Sequence, residues 1–282
     1  MHRRISGKAT NPITRYHKTI YSKKTDMRLL IRLRCIEDSL YEMQYHYHLQ
    51  GFIYNLLKGS KYDYVHDKEG YKFFCFSNVF PAYDLKKGDI RTLVVSSPSA
   101  GFVSHLRDAL RPVDGVKMGC MRFQSDYARE LDVKLPDAPF TIITGTPIVM
   151  RIPREMYRAQ GVEPKGQYEY VYWRSDHPID LIMSQLEANL AKKYAQYFGL
   201  AAAPGHPESG GRHLLPVGLF QKFKFKKQIS TRVLMKGSDH VVIGTVWEFE
   251  FGIDANRDMV RFALDAGLGE RNSLGFGFLN VR

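Results

Sequence analysis

Tyr54, His66 and Lys72 fall within a span of nineteen residues, and their side chains suit the cleavage of RNA without a metal ion. In that chemistry the RNA supplies its own nucleophile, the 2′-hydroxyl. The protein must orient this group for in-line attack, protonate the departing 5′-oxygen and stabilise the extra negative charge. A Tyr, a His and a Lys can divide these tasks. Spacing alone leaves the plainer reading open: a surface Tyr, a loop His and a solvated Lys. His46 and His48, at i and i+2, form a second candidate group, and each also reads as a helix-end or interface histidine. The ten histidines include no H-E-x-x-H and no H-x-E paired with C-x-x-C. Cys35, Cys75 and Cys120 form no CxxC pair, and no carboxylate cluster suits two magnesium ions. No metal site and no cofactor is expected.

Three kinds of element must hold the triplet. In HLQGFIYNLLKG, the residues Leu49, Phe52, Ile53, Leu56 and Leu57 recur at helical spacing, with Gly59 able to end the helix. Tyr54 sits about 130° from the centre of that apolar face, at 100° per residue, so its hydroxyl is expected at the surface. His66 lies in the loop YDYVHDKEG, and Lys72 opens the β-rich run KFFCFSNVF. Before them, MRLLIRLRCI alternates, with Leu29, Ile31, Leu33 and Cys35 on one face and Arg28, Arg32 and Arg34 on the other. After them come the strand IRTLVVSS, a helix carrying Phe102, Val103, Leu106 and Leu110, and the strands VKMGCMRFQ and ARELDVKL. The order is β-α-β-β-α-β.

A similar order recurs downstream. FTIITGTPIVMRIP reads as a strand pair or one long strand. A helix with Ile179, Ile182, Leu186 and Leu190 on one face ends at Gly199. FQKFKFKKQI and HVVIGTVWEFEF follow as strands, then a short helix with Met259, Phe262, Ala263 and Ala266 inward, and a last strand. The fold class is therefore α+β: two tandem ferredoxin-like (RRM-like, βαββαβ) domains, over 27–140 and 141–282. Residues 200–216 read as a surface loop or insertion.

The chain carries 41 Lys and Arg against 29 Asp and Glu, a formal net charge of +12. That points to a polyanionic partner, nucleic acid before an anionic membrane. No apolar run approaches the roughly 20 residues of a membrane span, and the N-terminus has no secretory h-region, so a cytoplasmic location is expected. Residues 1–26 hold seven Lys or Arg and one acid, and read as a disordered extension or as a basic arm touching RNA. In FQKFKFKKQ, Lys222, Lys224 and Lys226 face one way and Phe223 and Phe225 the other. Ammonium groups about 7 Å apart match the phosphates of a nucleic-acid strand. A solvated edge strand that uses Lys against aggregation gives the same pattern.

The end of the chain, GLGERNSLGFGFLNVR, places Gly267, Gly269, Gly275 and Gly277 within eleven positions. This glycine-rich loop, 267–277, precedes a strand rather than a helix and lacks Gly-Lys-Ser/Thr, so it is neither a dinucleotide loop nor a Walker loop. It reads as a loop lying against an extended phosphate chain or packed on adjoining helices. Gly269, Arg271, Asn272, Ser273 and Gly275 are its candidate RNA contacts.

GLGERNSLGFGFLNV resembles the C-terminal glycine-rich signature of the CRISPR-associated endoribonucleases that process precursor CRISPR RNA, within the repeat-associated RAMP superfamily. MRLLIRL and YHLQGFIYNLL are similar to archaeal members, and the resemblance spans about 27–282. It implies a metal-independent endoribonuclease that leaves 2′,3′-cyclic phosphate and 5′-hydroxyl ends and matures guide RNAs. It also implies roles: Tyr54 as base for, or orienter of, the 2′-hydroxyl; His66 as general acid; Lys72 as stabiliser of the transition state. The family moves its working His between members, which makes His46 and His48 the alternative. The implied partner is CRISPR repeat RNA, with other CRISPR effector subunits and a second copy of the chain as further partners and no membrane. The same fold would serve a noncatalytic RAMP subunit that holds the repeat-derived handle in an effector complex. A more distant reading is a ribosomal or tRNA-binding protein.

Overall fold

The computed structural model describes residues 27–110, 115–200, 218–235 and 237–282. The basic segment 1–26 and the stretch 201–217 lie outside the described residues. The first half is built from β1 (Arg28–Cys35), α1 (Tyr45–Leu57), β2 (Cys75–Phe76), β3 (Ile90–Ser96), α2 (Ala100–Leu110), β4 (Val116–Met118) and β5 (Met121–Leu131). These strands form an antiparallel sheet in the order β2-β3-β1-β5-β4. Leu29, Ile31 and Leu33 alternate inward from the central strand. They meet Leu49, Ile53 and Leu57 of α1 and Phe102, Val103 and Leu106 of α2 in one buried cluster. The run VKMGCMRFQ is not one strand. Gly119, with φ of 62°, turns it into the β4–β5 hairpin, and β5 continues unbroken into the run read as a separate strand. Of KFFCFSNVF, only Cys75–Phe76 is strand.

The second half contains β6 (Phe140–Thr144), β7 (Ile148–Val149), β8 (Arg151–Pro153), α3 (Arg154–Arg158), β9 (Tyr170–Tyr172), α4 (Ile179–Phe198), β10 (Lys222–Met235), β11 (Ser238–Phe251), α5 (Arg257–Ala266) and β12 (Leu279–Val281). Its main sheet runs β10-β11-β6-β12, with β7 on β11 and a separate two-stranded β8–β9 sheet. Leaving out the β4 edge, both sheets place their elements in the same order. FTIITGTPIVMRIP thus becomes three short strands. The side chain of Asn256 caps α5 by accepting from the Met259 N–H at 3.1 Å. A second core, including Trp247, Phe249, Leu186, Leu190 and Phe262, lies under this sheet. No described helix is long and apolar enough to cross a membrane.

Arg28 shows how the halves join. Strand alternation places it on the polar face with Arg32 and Arg34, yet it is 4% exposed, because the second half covers that end of β1. Its guanidinium donates to the carbonyls of Leu264 at 3.1 Å and Leu279 at 2.6 Å and to Asn280 Oδ1 at 2.9 Å. It also lies over the Phe278 ring, 4.7 Å from the centroid. Replacing it leaves buried carbonyls without a donor. We expect Arg28→Met to destabilise the chain by about 2–3 kcal/mol, read as a lower midpoint in urea denaturation.

Candidate active site at the glycine-loop seam

Tyr54, His66 and Lys72 come together at the open end of α1. The short 3-10 turn Asp63–Val65 carries His66 back over the helix, and the Tyr54 and His66 rings meet edge to face with centroids 5.0 Å apart. Lys72 Nζ donates to the carbonyls of Val65 and His66, both at 2.7 Å, and stands 5.3 Å from the Tyr54 ring centroid. Burial holds the Lys72 ammonium below its ordinary value, opposed by Asp67 and helped by Lys68. The His66 ring remains 62% exposed, and its Nδ1 lies 2.5 Å from Asp67 Oδ1. A carboxylate there selects the Nδ1–H form and leaves Nε2 as the nitrogen for other chemistry.

Tyr54 differs from expectation. Its hydroxyl is buried, and makes no hydrogen bond among the described residues. Burial pushes it up to about 12, with Ser273 near enough to favour the phenolate slightly. Helix geometry alone points this hydroxyl outward, but the C-terminal loop covers it. A phenol in that state is protonated at neutral pH, so it can orient a partner and is a poor base.

The loop that covers it is fixed from several sides. Gly275 and Gly277 have φ of 82° and 73°, and a Cβ at either would run into the Phe76 ring or the Leu268 carbonyl. Their N–H groups already donate within the protein, to the carbonyls of Asn272 and Pro147. The phosphate-cradle expectation for Gly275 therefore gives way to a packing role: it is buried against Phe76. Gly269 is buried too, against Val149. Asn272 is likewise engaged, donating from Nδ2 to the carbonyls of Leu268 and Phe276 at 3.1 and 2.9 Å. Ser273 accepts from Gln50 of α1 at both its carbonyl and its hydroxyl, at 3.0 and 3.1 Å. Arg271, at φ of 57°, lines the open side.

His46 belongs to the same anchorage. It is 6% exposed and stacks between Tyr45 and Phe276, with centroids at 4.6 and 4.9 Å. Its Nδ1 lies 2.8 Å from the Leu274 carbonyl, which can only accept, so Nδ1 carries the proton. Burial lowers its pKa, with the Leu274 carbonyl acting the other way. This ring is sequestered in packing, whereas His48 is exposed and outside the Tyr54 group.

Beside Lys72 the seam opens into a cleft of about 320 Å³, lined among others by Tyr71, Lys72, Arg151, Lys193, Glu270 and Arg271. Four cations and one carboxylate make its character positive. Arg151 pairs with Glu270 at 2.6 Å. Lys193 is 1% exposed and is absent from the candidates that motif and charge single out. The available signal was position: seven residues after Leu186 and three after Leu190, it falls on the inward face of α4, where a lysine needs partners. On β10, Lys222, Lys224 and Lys226 are exposed while Phe223 and Phe225 pack inward. Lys222 pairs with Glu250 and Lys226 with Glu248, both at 2.9 Å, so the lysine row is partly neutralised by its neighbour β11. Among the described residues, no group of three or more His, Cys, Asp or Glu could hold a metal ion.

Residues 133–281 match the family described as CRISPR associated protein Cas6, C-terminal. The chain is 31% identical over 260 residues to the CRISPR-associated endoribonuclease Cas6 of Haloferax mediterranei, covering 90% of this chain and 93% of that one. It is 28% identical over 263 residues to the CRISPR-associated endoribonuclease Cas6 2 of Methanocaldococcus jannaschii, covering 90% and 99%. Among solved structures it is similar in fold to one described as an RAMP protein binding different RNA substrates. That match has a TM-score of 0.65 at 18% identity, over 91% of this chain and 99% of that one.

His46 makes the seam sensitive to acid. The folded chain holds the ring neutral, below its ordinary value of 6.5, so protons bind the unfolded chain better. Its contribution is full above pH 6.5 and is lost as the pH falls through the lower folded value. His46→Phe keeps the stacking and loses the bond to Leu274. It should cost about 1–2 kcal/mol at neutral pH, with the gap from wild type narrowing toward about pH 5, measured by urea denaturation at both pH values.

Proposed function

From the premise that the chain belongs to the Cas6 family of CRISPR-associated endoribonucleases, we propose that it cuts CRISPR repeat RNA without a metal ion, at the Tyr54–His66–Lys72 corner, to mature guide RNAs. The observation that carries the reading is the convergence of the three side chains beside a positively lined cleft. In the reaction, the 2′-oxygen attacks phosphorus as its proton leaves to solvent, and the bond from phosphorus to the 5′-oxygen breaks. The 5′-oxygen takes a proton from His66. The ends are a 2′,3′-cyclic phosphate and a 5′-hydroxyl.

Each role follows from its surroundings. His66 is the exposed member, and its contact with Asp67 steadies the ring while Nε2 delivers the proton. Lys72 is tied to the His66 carbonyl, so its charge is held at a fixed distance from the acid and stabilises the negative charge that builds on the phosphoryl oxygens. Tyr54, kept protonated by burial, orients the 2′-hydroxyl as a hydrogen-bonding group. The loop residue Ser273 lies beside that hydroxyl. Arg271 extends the positive surface into the cleft, where the flanking phosphates are held. The lysines of β10 add sequence-independent attraction for the rest of the repeat, and other CRISPR subunits are partners for the processed RNA.

Incubation with repeat RNA in excess EDTA tests the reading. Cleavage should proceed. His66→Ala should slow it by about 10²–10⁴-fold, as loss of a general acid does. Lys72→Ala should slow it by about 10²–10³-fold, and Tyr54→Phe by about 10²-fold, with RNA binding kept in all three. Intact binding with no cleavage by the wild-type chain would instead support a noncatalytic subunit that holds the repeat-derived handle.

A further inference from the structure

We propose that Lys193 is a positioning residue for RNA cleavage: its ammonium group holds the glycine-rich loop in the shape that seats Ser273 beside the Tyr54 hydroxyl. The proposal rests on the reading of Tyr54 given above and adds a residue that touches neither the scissile bond nor any member of the Tyr54–His66–Lys72 group.

Lys193 projects from α4 in the second half of the chain and is 1% exposed. Its Nζ donates to the Gly267 carbonyl at 2.8 Å and to Asn272 Oδ1 at 2.7 Å, so it grips the glycine-rich segment at its start and at its bend. Asn272 passes the constraint on. Its Nδ2 group ties the carbonyls of Leu268 and Phe276, closing the loop on itself. The next residue, Ser273, is pinned to Gln50 of α1, four positions before Tyr54 on the same helix. One ammonium group is therefore the first link of a short path from α4 to the tyrosine.

An apolar side chain could fill this space at less desolvation cost, since burying an ammonium without a carboxylate partner is unfavourable. The titratable groups around Lys193 among the described residues include Glu270 and Arg271 of the loop, Lys72 and Arg151 across the cleft, and the neutral Cys75 thiol of β2; the Tyr71 ring lies 5.8 Å away. Burial draws the ammonium down to about 7, with Cys75 and Glu270 opposing. Its hydrogen bonds go to a carbonyl and a carboxamide, both neutral. A charged group placed at such a cost, and aimed at the one segment that covers Tyr54, is explained by geometry it enforces rather than by stability it adds.

The test compares Lys193→Met, Asn272→Ala, Tyr54→Phe and the double variant Lys193→Met/Tyr54→Phe, with Lys192→Met as a charge-loss control on the exposed side of α4. Thermal melting establishes folding. Single-turnover cleavage at saturating protein is measured separately from the Kd for an uncleavable 2′-deoxy repeat RNA. The saturated rate should fall by about 10²-fold in Lys193→Met, the effect of shifting a positioned group by roughly 1 Å, while Kd changes by less than about threefold. Asn272→Ala, which removes the other end of the same bond, should behave alike and serves if Lys193→Met does not fold. The double variant should be no slower than the slower single variant, because both losses act through one contact. Lys192→Met should match wild type. A wild-type rate in folded Lys193→Met or Asn272→Ala beside a slowed Tyr54→Phe overturns the proposal and leaves the site reading standing. So does a rate loss matched by an equal loss of binding, or losses that multiply in the double variant. A wild-type rate in Tyr54→Phe sinks the reading of Tyr54 itself, and the proposal falls with it.

Discussion

The rest of the molecule depends on one piece of close packing: the segment from Gly267 to Gly277 wedged between its two halves. Its glycines have positive φ and no room for a side chain, so only glycine permits that path. From the first half, His46 reaches the Leu274 carbonyl, Gln50 reaches Ser273, and the Cys75 thiol donates to the Phe276 carbonyl at 3.3 Å. From the second half, Lys193 holds Gly267 and Asn272. Arg28 closes the same seam one layer away, through Leu264 and Leu279. A change in the loop is therefore felt by both halves.

That constraint also sets the electrostatics. Groups that touch the loop are desolvated: Tyr54 is raised, while His46 and Lys193 are lowered. Each is held in its neutral form or pushed toward it. Asp265, near Arg28 and Arg261, is likewise raised to about 7 by burial. His66 stands apart, exposed and held at Nδ1 by Asp67. The corner thus combines one solvent-facing acid–base group with a rigid, dry backing, a division that suits proton transfer at one atom and fixed orientation at another.

Much of this could be read from residue order. The alternation Leu29, Ile31, Leu33 and the helical spacing of Leu49, Ile53 and Leu57 mark a strand and a helix that pack on each other, and the same patterns repeat in the second half. Two β-α-β-β-α-β orders follow from periodicity because each element buries one face. The convergence of Tyr54, His66 and Lys72 was legible from closeness in sequence, since a helix end, a turn and the next segment cannot part far. What local pattern could not supply was the partner brought in from over 200 residues away. Arg28 alternates with surface arginines and is buried; Tyr54 lies off the apolar face and is covered; His46 has the look of a catalytic candidate and is stacked under Phe276. All three are covered by the C-terminal segment, and periodicity within β1 or α1 contains no information about it. The glycines do mark close approach, but the approaching atoms belong to the protein's own Phe76 and Leu268.

A reaction whose nucleophile belongs to the substrate asks little of the enzyme's side chains and much of their placement. No serine or cysteine has to be activated, so there is no need for a base of matched pKa beside a nucleophile. Three common residue types at one corner suffice, and they can move between positions at little cost to the chemistry. Their placement is a different matter, because an orienting hydroxyl displaced by about 1 Å loses most of its effect. It follows that the tightest sequence requirement should fall on the segment that enforces placement, where a single Cβ is excluded, rather than on the residues that transfer protons. The glycine-rich loop meets that description. It carries the most recognisable stretch of the chain while contributing backbone and packing, and the histidine proposed to transfer the proton sits in an exposed loop, steadied by its sequence neighbour Asp67.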